Sequence, residues 1–269
     1  MAKRQRSISR ASADLRAAHA AKRSRCAKSR VLWFRAVLAG VLLATAVIGT
    51  VLVTSANSSQ DSRWDREVHA LLAGIPQQGQ TLGARTAPVT LQVYAELEDY
   101  SSGSWLRLFF PFIVRAFVRP KILKVEYLAF KTNTIGSEMF AKQQAAALAA
   151  GAQNKLWNFV LIFSCEQGIE RTPYATESFL DGIARQVPAL NIKRWSTDSN
   201  ADTRIEQVVE EDQQGRAEGI HVTPSYRIGR TGRGLKNFLG SQSIIYHGQI
   251  HPTTYASPED IAHAINEIY

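Results

Sequence analysis

The chain has 269 residues, and its 45% hydrophobic content is sufficient for a packed core and too high for an intrinsically disordered protein. Its net charge of +9 is concentrated at one end, because the first 35 residues hold eleven Lys and Arg against one acidic residue. The remaining 234 residues carry a net charge of −1, so composition argues against a basic nucleic-acid-binding surface over the body of the chain.

An uncharged apolar run, residues 36–54, follows this basic segment directly. Its nineteen residues match the roughly 30 Å thickness of a bilayer core at 1.5 Å per residue, which predicts a transmembrane helix. The Lys and Arg excess predicts that residues 1–35 are a cytoplasmic tail, followed by a linker at 55–67 and an extracytoplasmic domain at 68–269. A cleaved signal peptide is the alternative, but both the basic and the apolar segments are long for one.

The tail itself is rich in Arg, Lys, Ala and Ser, a composition compatible with binding to nucleic acid or to anionic lipid. It contains no aromatic residue before Trp33, which argues against a specific nucleic-acid-binding module. Its simplest role is to set the topology of the membrane segment.

The first elements of the extracytoplasmic region differ in how clearly the sequence defines them. Residues His69–Gly83 combine a short apolar segment with Gly, Pro and Gln, which predicts a first edge strand and a loop. Val89–Val93 alternates as a strand entering a core. Trp105–Val118 has apolar residues at helical spacing, and Pro111 inside this pattern predicts a kink.

The remaining elements follow the same signals, and the last helix has the clearest boundary because Ser257 precedes Pro258 as a cap. We predict a strand at Lys121–Phe130, helices at Ser137–Gly151, Asn154–Cys165, Thr176–Gln186 and Asp202–Glu218, a strand at Ser225–Gly229 paired with Ile244–Tyr246, and a final helix at Pro258–Ile268.

The junction between the Val89–Val93 strand and the following helix is the place where chemistry is expected. The polar cluster Asp99–Ser104 predicts a turn that caps a helix beginning near Trp105. The first amides of a helix have no internal partner and lie at the positive end of its dipole, so they favour an anion. A thiolate or a carboxylate would be stabilised there.

Two segments carry a resemblance to a known family: Ala87–Asp99 (APVTLQVYAELED) and Gly219–Ser225 (GIHVTPS). Over about residues 68–268, the chain resembles the DsbA-like branch of the thioredoxin superfamily. The resemblance implies an α/β, thioredoxin-like fold with a central mixed sheet and a helical insertion at about 137–218. It also implies a cis-proline loop, here Val222, Thr223 and Pro224, that binds extended polypeptide, although a structural turn alone explains the same residues.

The family's Cys-x-x-Cys motif falls on Asp99, Tyr100, Ser101 and Ser102, so both motif cysteines are absent. Disulfide exchange proceeds through thiolate attack on sulfur, which neither a carboxylate nor a hydroxyl can replace. The resemblance therefore implies a degenerate active-site loop, although plain capping of the helix by Asp99 explains the same residues.

Two cysteines remain in the chain, Cys26 and Cys165. The predicted topology separates them across the membrane, so they cannot pair within one molecule. The apolar residues around Cys165 favour a buried, inert thiol; an intermolecular disulfide or a single reactive thiol are the alternatives. No cofactor or metal site is predicted, because the glycines of residues 229–234 lie in a turn and His247 and His251 do not share a helix.

These observations lead to one preferred function and two alternatives. The preferred function is a membrane-anchored, non-catalytic module that binds extracytoplasmic polypeptide or an envelope protein. The alternative from another class is a thiol-disulfide oxidoreductase of envelope protein folding that works through Cys165. A structural envelope protein without a ligand is the third.

Overall fold

The computed structural model describes residues 63–239, 243–246, 249–252 and 255–268. The predicted cytoplasmic tail, the predicted transmembrane helix and most of the predicted linker lie outside these ranges. Within the described ranges, none of the helices is both long enough and apolar enough to cross a membrane.

The core of the fold is a six-stranded mixed sheet, as predicted from the resemblance, with the order β1-β2-β4-β3-β5-β6. Its strands are β1 (Gln77–Gln78), β2 (Thr81–Leu82), β3 (Val89–Ala95), β4 (Leu123–Ala129), β5 (Ser225–Arg230) and β6 (Lys236–Phe238). The central strand β3 pairs in parallel with β4 and antiparallel with β5. Because β3 lies between β4 and β5 in the middle of the sheet, all but one of its residues are buried.

The described helices flank this sheet, and five of them lie between β4 and β5. They are α1 (Arg63–Leu72), α2 (Tyr100–Leu108), α3 (Phe110–Ile113), α4 (Ser137–Gly151), α5 (Leu156–Glu166), α6 (Glu177–Gln186), α7 (Ile192–Ser199), α8 (Asp202–Ala217) and α9 (Pro258–Ile268). A π-helical turn, Val114–Val118, follows α3. The five helices α4–α8 occupy the place of the predicted insertion.

The helix after β3 is broken as Pro111 predicted, but it begins earlier than expected. Asp99 caps it, so α2 starts at Tyr100 and not near Trp105. The interruption is at Phe109, and Pro111 lies in the first turn of α3. Proline has no N–H to donate, so the break costs no additional hydrogen bond at that position.

Three other predictions were wrong in detail. Helix α1 includes residues 63–67, which were predicted to end the linker, and His69–Leu72, which were predicted to belong to the edge strand and loop. Within the predicted segment His69–Gly83, the strands are Gln77–Gln78 and Thr81–Leu82. The helix α7 was missed.

The predicted partner of β5 was also wrong. Strand β5 pairs with β6, because a tight turn at Gly232 returns the chain at once. The segment Ser243–Tyr246 is β7 and pairs instead with β8 (Gln249–Pro252) in a separate two-stranded sheet.

The final helix has the predicted boundary. The Asp260 amide donates to Ser257 Oγ at 3.1 Å, and the Ser257 amide donates to Asp260 Oδ2 at 2.9 Å. This reciprocal capping box satisfies two amides that the helix itself cannot. The preceding segment is fixed to α2, because Trp105 Nε1 donates to the Ala256 carbonyl at 2.8 Å.

The packing of α8 on the sheet depends on a glycine, which gives a direct test. A Cβ at Gly215 would lie 2.6 Å from Cδ2 of Phe130 and 3.0 Å from Cε1 of Tyr94. Alanine normally stabilises a helix by about 1 kcal/mol over glycine. We expect Gly215→Ala to lower the free energy of unfolding by about 1–3 kcal/mol because overpacking outweighs that gain.

The matched control is Gly182→Ala in α6, where the added Cβ meets nothing within 4 Å. This variant should be more stable by about 0.5–1 kcal/mol. Chemical denaturation of the full chain measures both values. An equal gain from the two substitutions would contradict the contact between α8 and Phe130.

Candidate functional site

Asp99 is the centre of the candidate site, at the end of the loop between β3 and α2. Its carboxylate accepts hydrogen bonds from the Ser101 amide at 3.3 Å, the Ser102 amide at 2.8 Å and Ser102 Oγ at 2.7 Å. The side chain is only 2% exposed. The negative group predicted at the helix N-terminus is therefore a buried carboxylate that caps α2.

Two further donors reach Asp99 from distant parts of the chain. Asn133 Nδ2, in the loop after β4, donates to Oδ1 at 3.0 Å. Thr223 Oγ1 donates to Oδ2 at 2.9 Å across 124 residues of sequence. The bond between Thr223 and Pro224 is cis, as the resemblance implied. The structure thus brings together the two predicted groups of site residues, the motif loop and the cis-proline loop.

A chain of oxygen contacts continues from Asp99 to a second buried acid, Glu96. Thr223 Oγ1 lies 2.7 Å from Thr132 Oγ1, which in turn donates to Glu96. The chain from Asp99 to Glu96 thus has three oxygen–oxygen contacts: Asp99 with Thr223, Thr223 with Thr132, and Thr132 with Glu96. The two threonine hydroxyls supply only two protons for these three contacts. All three contacts are hydrogen bonds only when one carboxyl group carries a proton.

Burial raises the pKa of the Asp99 carboxyl above its usual value of 3.8, so this acid takes up the proton as pH falls. Hydrogen bonds from Ser102, Thr223 and Ser101 act in the opposite direction and are smaller in effect. When Asp99 is ionised, Thr223 donates to it, as described above. When Asp99 is protonated, it donates to Thr223, Thr223 donates to Thr132, and Thr132 donates to Glu96.

Glu96 and Glu98 lie between the end of β3 and Asp99, and both are buried. Glu96 accepts the amides of Thr132, Asn133 and Thr134 at 2.6–2.7 Å, so it fixes the loop after β4. Glu98 accepts from Gln143 Nε2 on α4 at 3.1 Å. The two carboxylates bind different elements and form no pair suited to hydrolysis.

The other motif positions differ sharply in exposure. Ser102 is fully buried, Ser101 is half-buried, and Tyr100 is 51% exposed with the Arg107 guanidinium 5.8 Å from its ring centre. Burial raises the pKa of Glu170, whose carboxylate accepts the Tyr100 amide, and the neighbouring Asp99 raises it further.

Four exposed apolar side chains lie close in sequence to residues of the Asp99 site, and we call them the apolar rim: Tyr100, Ile135, Ile169 and Val222. Each adjoins the polar site in sequence. Tyr100 follows Asp99, Val222 precedes Thr223, Ile135 closely follows Asn133, and Ile169 lies between Gln167 and Glu170. The rim is from 48% to 77% exposed at each position.

Cys165, the remaining thiol in the described residues, lies near the C-terminal end of α5 and is partly exposed. Burial raises its pKa, and the Arg107 charge opposes this only in part. A raised pKa keeps the group a thiol at neutral pH and so disfavours attack on a disulfide. The sequence favoured a buried, inert thiol. The residue is only partly buried, and its raised pKa agrees with the inert role.

Residues that sequence reasoning missed hold the site in place. Gln167 Nε2 donates to the carbonyls of Leu97 and Asp99 at 2.9 Å each, and Thr132 and Asn133 provide the contacts already described. These residues come from the end of α5 and from the loop after β4, far from either motif. No group of three or more His, Cys, Asp or Glu side chains in the described ranges is arranged to hold a metal ion.

Comparison with solved structures shows that the chain has a DsbA-like fold. Oxidised BdbD from Bacillus subtilis superposes with a TM-score of 0.55 at 14% identity, covering 72% of this chain and 96% of BdbD. DsbA from Chlamydia trachomatis gives a TM-score of 0.55 at 14% identity, covering 82% and 96%. α-DsbA1 from Wolbachia pipientis gives 0.53 at 18% identity, covering 74% and 92%. The sequence matches no protein-family model and no curated protein.

The protonation of buried Asp99 predicts how the stability of the fold depends on pH. The pKa of Asp99 is higher in the folded protein than its unfolded value near 3.8. At pH values between these two pKa values, the folded state therefore binds more protons than the unfolded state. Stability is then lost as pH rises through this window, by up to about 1.4 kcal/mol per pH unit for one proton.

The reference is Asp99→Asn, whose amide donates to Thr223 at every pH, as the protonated acid does. We expect wild type to approach this variant in stability at the acidic end of the window and to become less stable relative to it as pH rises. Urea unfolding of both full chains across this range measures the difference. A difference that is constant, or that grows in favour of wild type with pH, would place the proton elsewhere.

Proposed function

We propose that this protein is a membrane-anchored, extracytoplasmic DsbA-like module that binds polypeptide and carries out no disulfide exchange. The observation that carries the proposal is the position of Asp99. In the alignment that the resemblance implies, Asp99 falls on the first motif cysteine, and hydrogen bonds from α2 and from the cis-proline loop fix its side chain. The site keeps the geometry of the fold but contains no sulfur.

The chemistry of the loop supports a non-catalytic role. A thiolate attacks a disulfide sulfur and is later released by a second thiol, and a carboxylate can do neither. The two hydroxyls of Ser101 and Ser102 are un-ionised at neutral pH. Cys165 has a pKa raised by burial, so it offers little thiolate to replace them.

Polypeptide is the class of partner that the surface fits best. The apolar rim presents four exposed side chains close in sequence to a buried polar centre, a pattern suited to alternating side chains of an extended segment. The backbone at Val222 and Thr223, beside the cis-proline, provides an edge to which such a segment can add by hydrogen bonding. Neither feature requires cysteine.

The location of the domain is part of the same proposal. The apolar run at residues 36–54 would anchor the chain as a single membrane span, and the basic residues 1–35 would remain in the cytoplasm. The folded domain then lies outside the cytoplasm, where an extracytoplasmic polypeptide or envelope protein is its partner.

The first test concerns redox chemistry. Wild type should reduce insulin no faster than the background reaction with dithiothreitol. The double variant Asp99→Cys and Ser102→Cys should gain activity because the two side chains already touch, with Ser102 Oγ 2.7 Å from Asp99 Oδ2. The helix N-terminus would then lower the pKa of the new thiol.

Cys165→Ser is the control in both backgrounds, and thermal unfolding checks that each variant is folded. Turnover by wild type that disappears in Cys165→Ser would overturn the proposal in favour of an oxidoreductase that uses Cys165. Activity of the double variant with an inactive wild type would show that only the missing thiols prevent catalysis.

The second test concerns binding. Fluorescence anisotropy of a labelled, alkylated insulin B chain, which is permanently extended, measures polypeptide affinity of the full-length protein. We expect Val222→Asp to weaken binding about tenfold, since burying an unpaired carboxylate against an apolar segment costs about 1–3 kcal/mol.

Val209→Asp on α8 is the matched control, because Val209 is 45% exposed and Val222 is 48% exposed. It should bind like wild type. Equal affinities for all three proteins would show that the apolar rim is not the binding surface.

A further inference from the structure

One side of the helical segment after β3 exposes apolar and basic side chains together. We call it the basic face, and its exposed residues are Leu108, Phe112, Arg115, Arg119 and Lys121. The first four are spaced by three or four residues through α2, α3 and the π-helical turn, which places them on one side of the helix. The other side packs into the core through Leu106, Phe110, Ile113, Val114 and Val118. The basic face shares no residue with the apolar rim.

Leu108 and Phe112 are the apolar part of the basic face. They are 59% and 58% exposed and lie about one helical turn apart. A single exposed hydrophobic side chain is common on protein surfaces, but adjacent large ones mark a surface that a partner covers. Aromatic side chains in such positions are enriched where proteins meet the interface of a bilayer.

The charge of this segment is positive throughout. Between Asp99 and Glu126 the sequence holds five Lys and Arg and no acidic residue. In the described ranges, the side chains of Arg115 and Lys121 form no hydrogen bond or ion pair. Both cations are therefore available to an external anion. A face of this sign repels a second copy of itself and attracts an anionic surface.

Arg119 joins the basic face to the element through which the chain enters the domain. Its guanidinium donates to the carbonyls of Leu71 at 2.8 Å and Ala73 at 3.0 Å, at the C-terminal end of α1. Helix α1 begins at Arg63, and its ten residues span about 15 Å. The basic face thus lies about one helix length from the start of the folded domain.

The sequence before α1 limits how far the domain can be from a bilayer. Eight residues, 55–62, separate the predicted membrane segment from α1. Fully extended, eight residues reach at most about 29 Å. A domain on so short a tether has a high effective concentration at the bilayer surface, so even a weak attraction is sufficient for contact.

We propose that the basic face docks on the anionic surface of the bilayer that anchors the chain. In the docked state Arg115 and Lys121 lie among acidic headgroups, and Phe112 and Leu108 lie at the boundary with the acyl chains. A bilayer matches both parts of the face, because it presents negative charge above an apolar layer. The proposal rests on the membrane anchor of the proposed function.

An environment-sensitive NBD fluorophore on the basic face tests the docking. The full-length protein, with Cys26→Ser and Cys165→Ser, is labelled at Ala116→Cys, an exposed position beside Arg115. It is placed in nanodiscs of phosphatidylcholine alone or of an equal mixture with phosphatidylglycerol. We expect a blue shift of the emission in the mixed bilayer and none in phosphatidylcholine alone. A label at Ala217→Cys, exposed on α8, should show the same emission in both.

Two pairs of variants separate the contributions of charge. Arg115→Gln with Lys121→Gln should lower the ratio of docked to undocked protein about 30-fold, since each cation near an anionic surface contributes about tenfold or slightly less. Lys193→Gln with Arg194→Gln removes two exposed cations from α7 and should leave the ratio unchanged. High salt should reverse the wild-type shift.

The apolar contribution is tested in the same way. Phe112→Ser should lower the docked ratio about tenfold, because the aromatic ring no longer enters the interface. Val209→Ser on α8, at a position 45% exposed, is the matched control and should dock like wild type. Thermal unfolding checks that each variant is folded.

Flotation of the full chain with liposomes after an alkaline wash tests the anchor separately. Retained protein with the same emission at position 116 in both bilayers would overturn the docking and leave the anchor intact. A shift that persists in both the Arg115 and Lys121 variant and Phe112→Ser would also overturn it. Loss of the protein from the liposomes would overturn the anchor and the docking together.

Discussion

The hydrogen bond between Thr223 Oγ1 and Asp99 Oδ2 is the contact on which the architecture of the site depends. It joins the start of α2 to the loop before β5, across almost half of the chain. Asp99 is fixed at the same time by the amides of α2 and by Asn133. The three elements that meet at this end of the sheet are thus held by one buried side chain, and removing it would leave several donors unsatisfied at once.

A carboxylate can take this position because it reproduces one property of a thiolate and lacks another. Both are anions that satisfy free amides and the positive end of a helix dipole. Only the thiolate is a nucleophile toward sulfur. A carboxyl group also accepts more hydrogen bonds than a sulfur atom does, which explains why the surrounding hydroxyls of Ser102 and Thr223 can all be directed at it. In the proposed function, Asp99 is a structural substitute for a redox centre, and its disadvantage is the desolvation of a buried acid.

Features of the fold and site that are set by neighbouring residues could be predicted from the sequence, whereas those set by residues far apart in the chain could not. The β3 strand, the cap at Asp99 and the start of α9 are set by neighbouring residues, and each left a local pattern. Thr132 and Gln167 carry no such pattern, because they reach Asp99 or its partners only after the chain has folded. The end of the predicted linker was assigned wrongly because its polar residues are equally common in loops and on an exposed helix such as α1.

The partner of β5 illustrates the same limit in the sheet. Apolar composition favoured Ile244–Tyr246, whereas the pairing that forms uses the less apolar β6. The tight turn at Gly232 brings β6 alongside β5 within a few residues, and the short loop is entropically easier to close than a longer one. For the pairing of β5, the short loop outweighed the more apolar sequence of Ile244–Tyr246. The residue pattern of a single strand does not indicate which of these two effects is larger.

Helix α5 ends at the Asp99 site, where Gln167 donates to the carbonyl of Asp99. It is buried along nearly its whole length, with Phe159 and Trp157 packed among the core aromatic rings. At its C-terminal end the Arg107 guanidinium donates to the Ser164 carbonyl, which matches a cation to the negative end of the dipole. A rigid helix in a well-packed core has no second arrangement into which it can switch, so α5 holds Gln167, at its C-terminal end, in a fixed position beside Asp99.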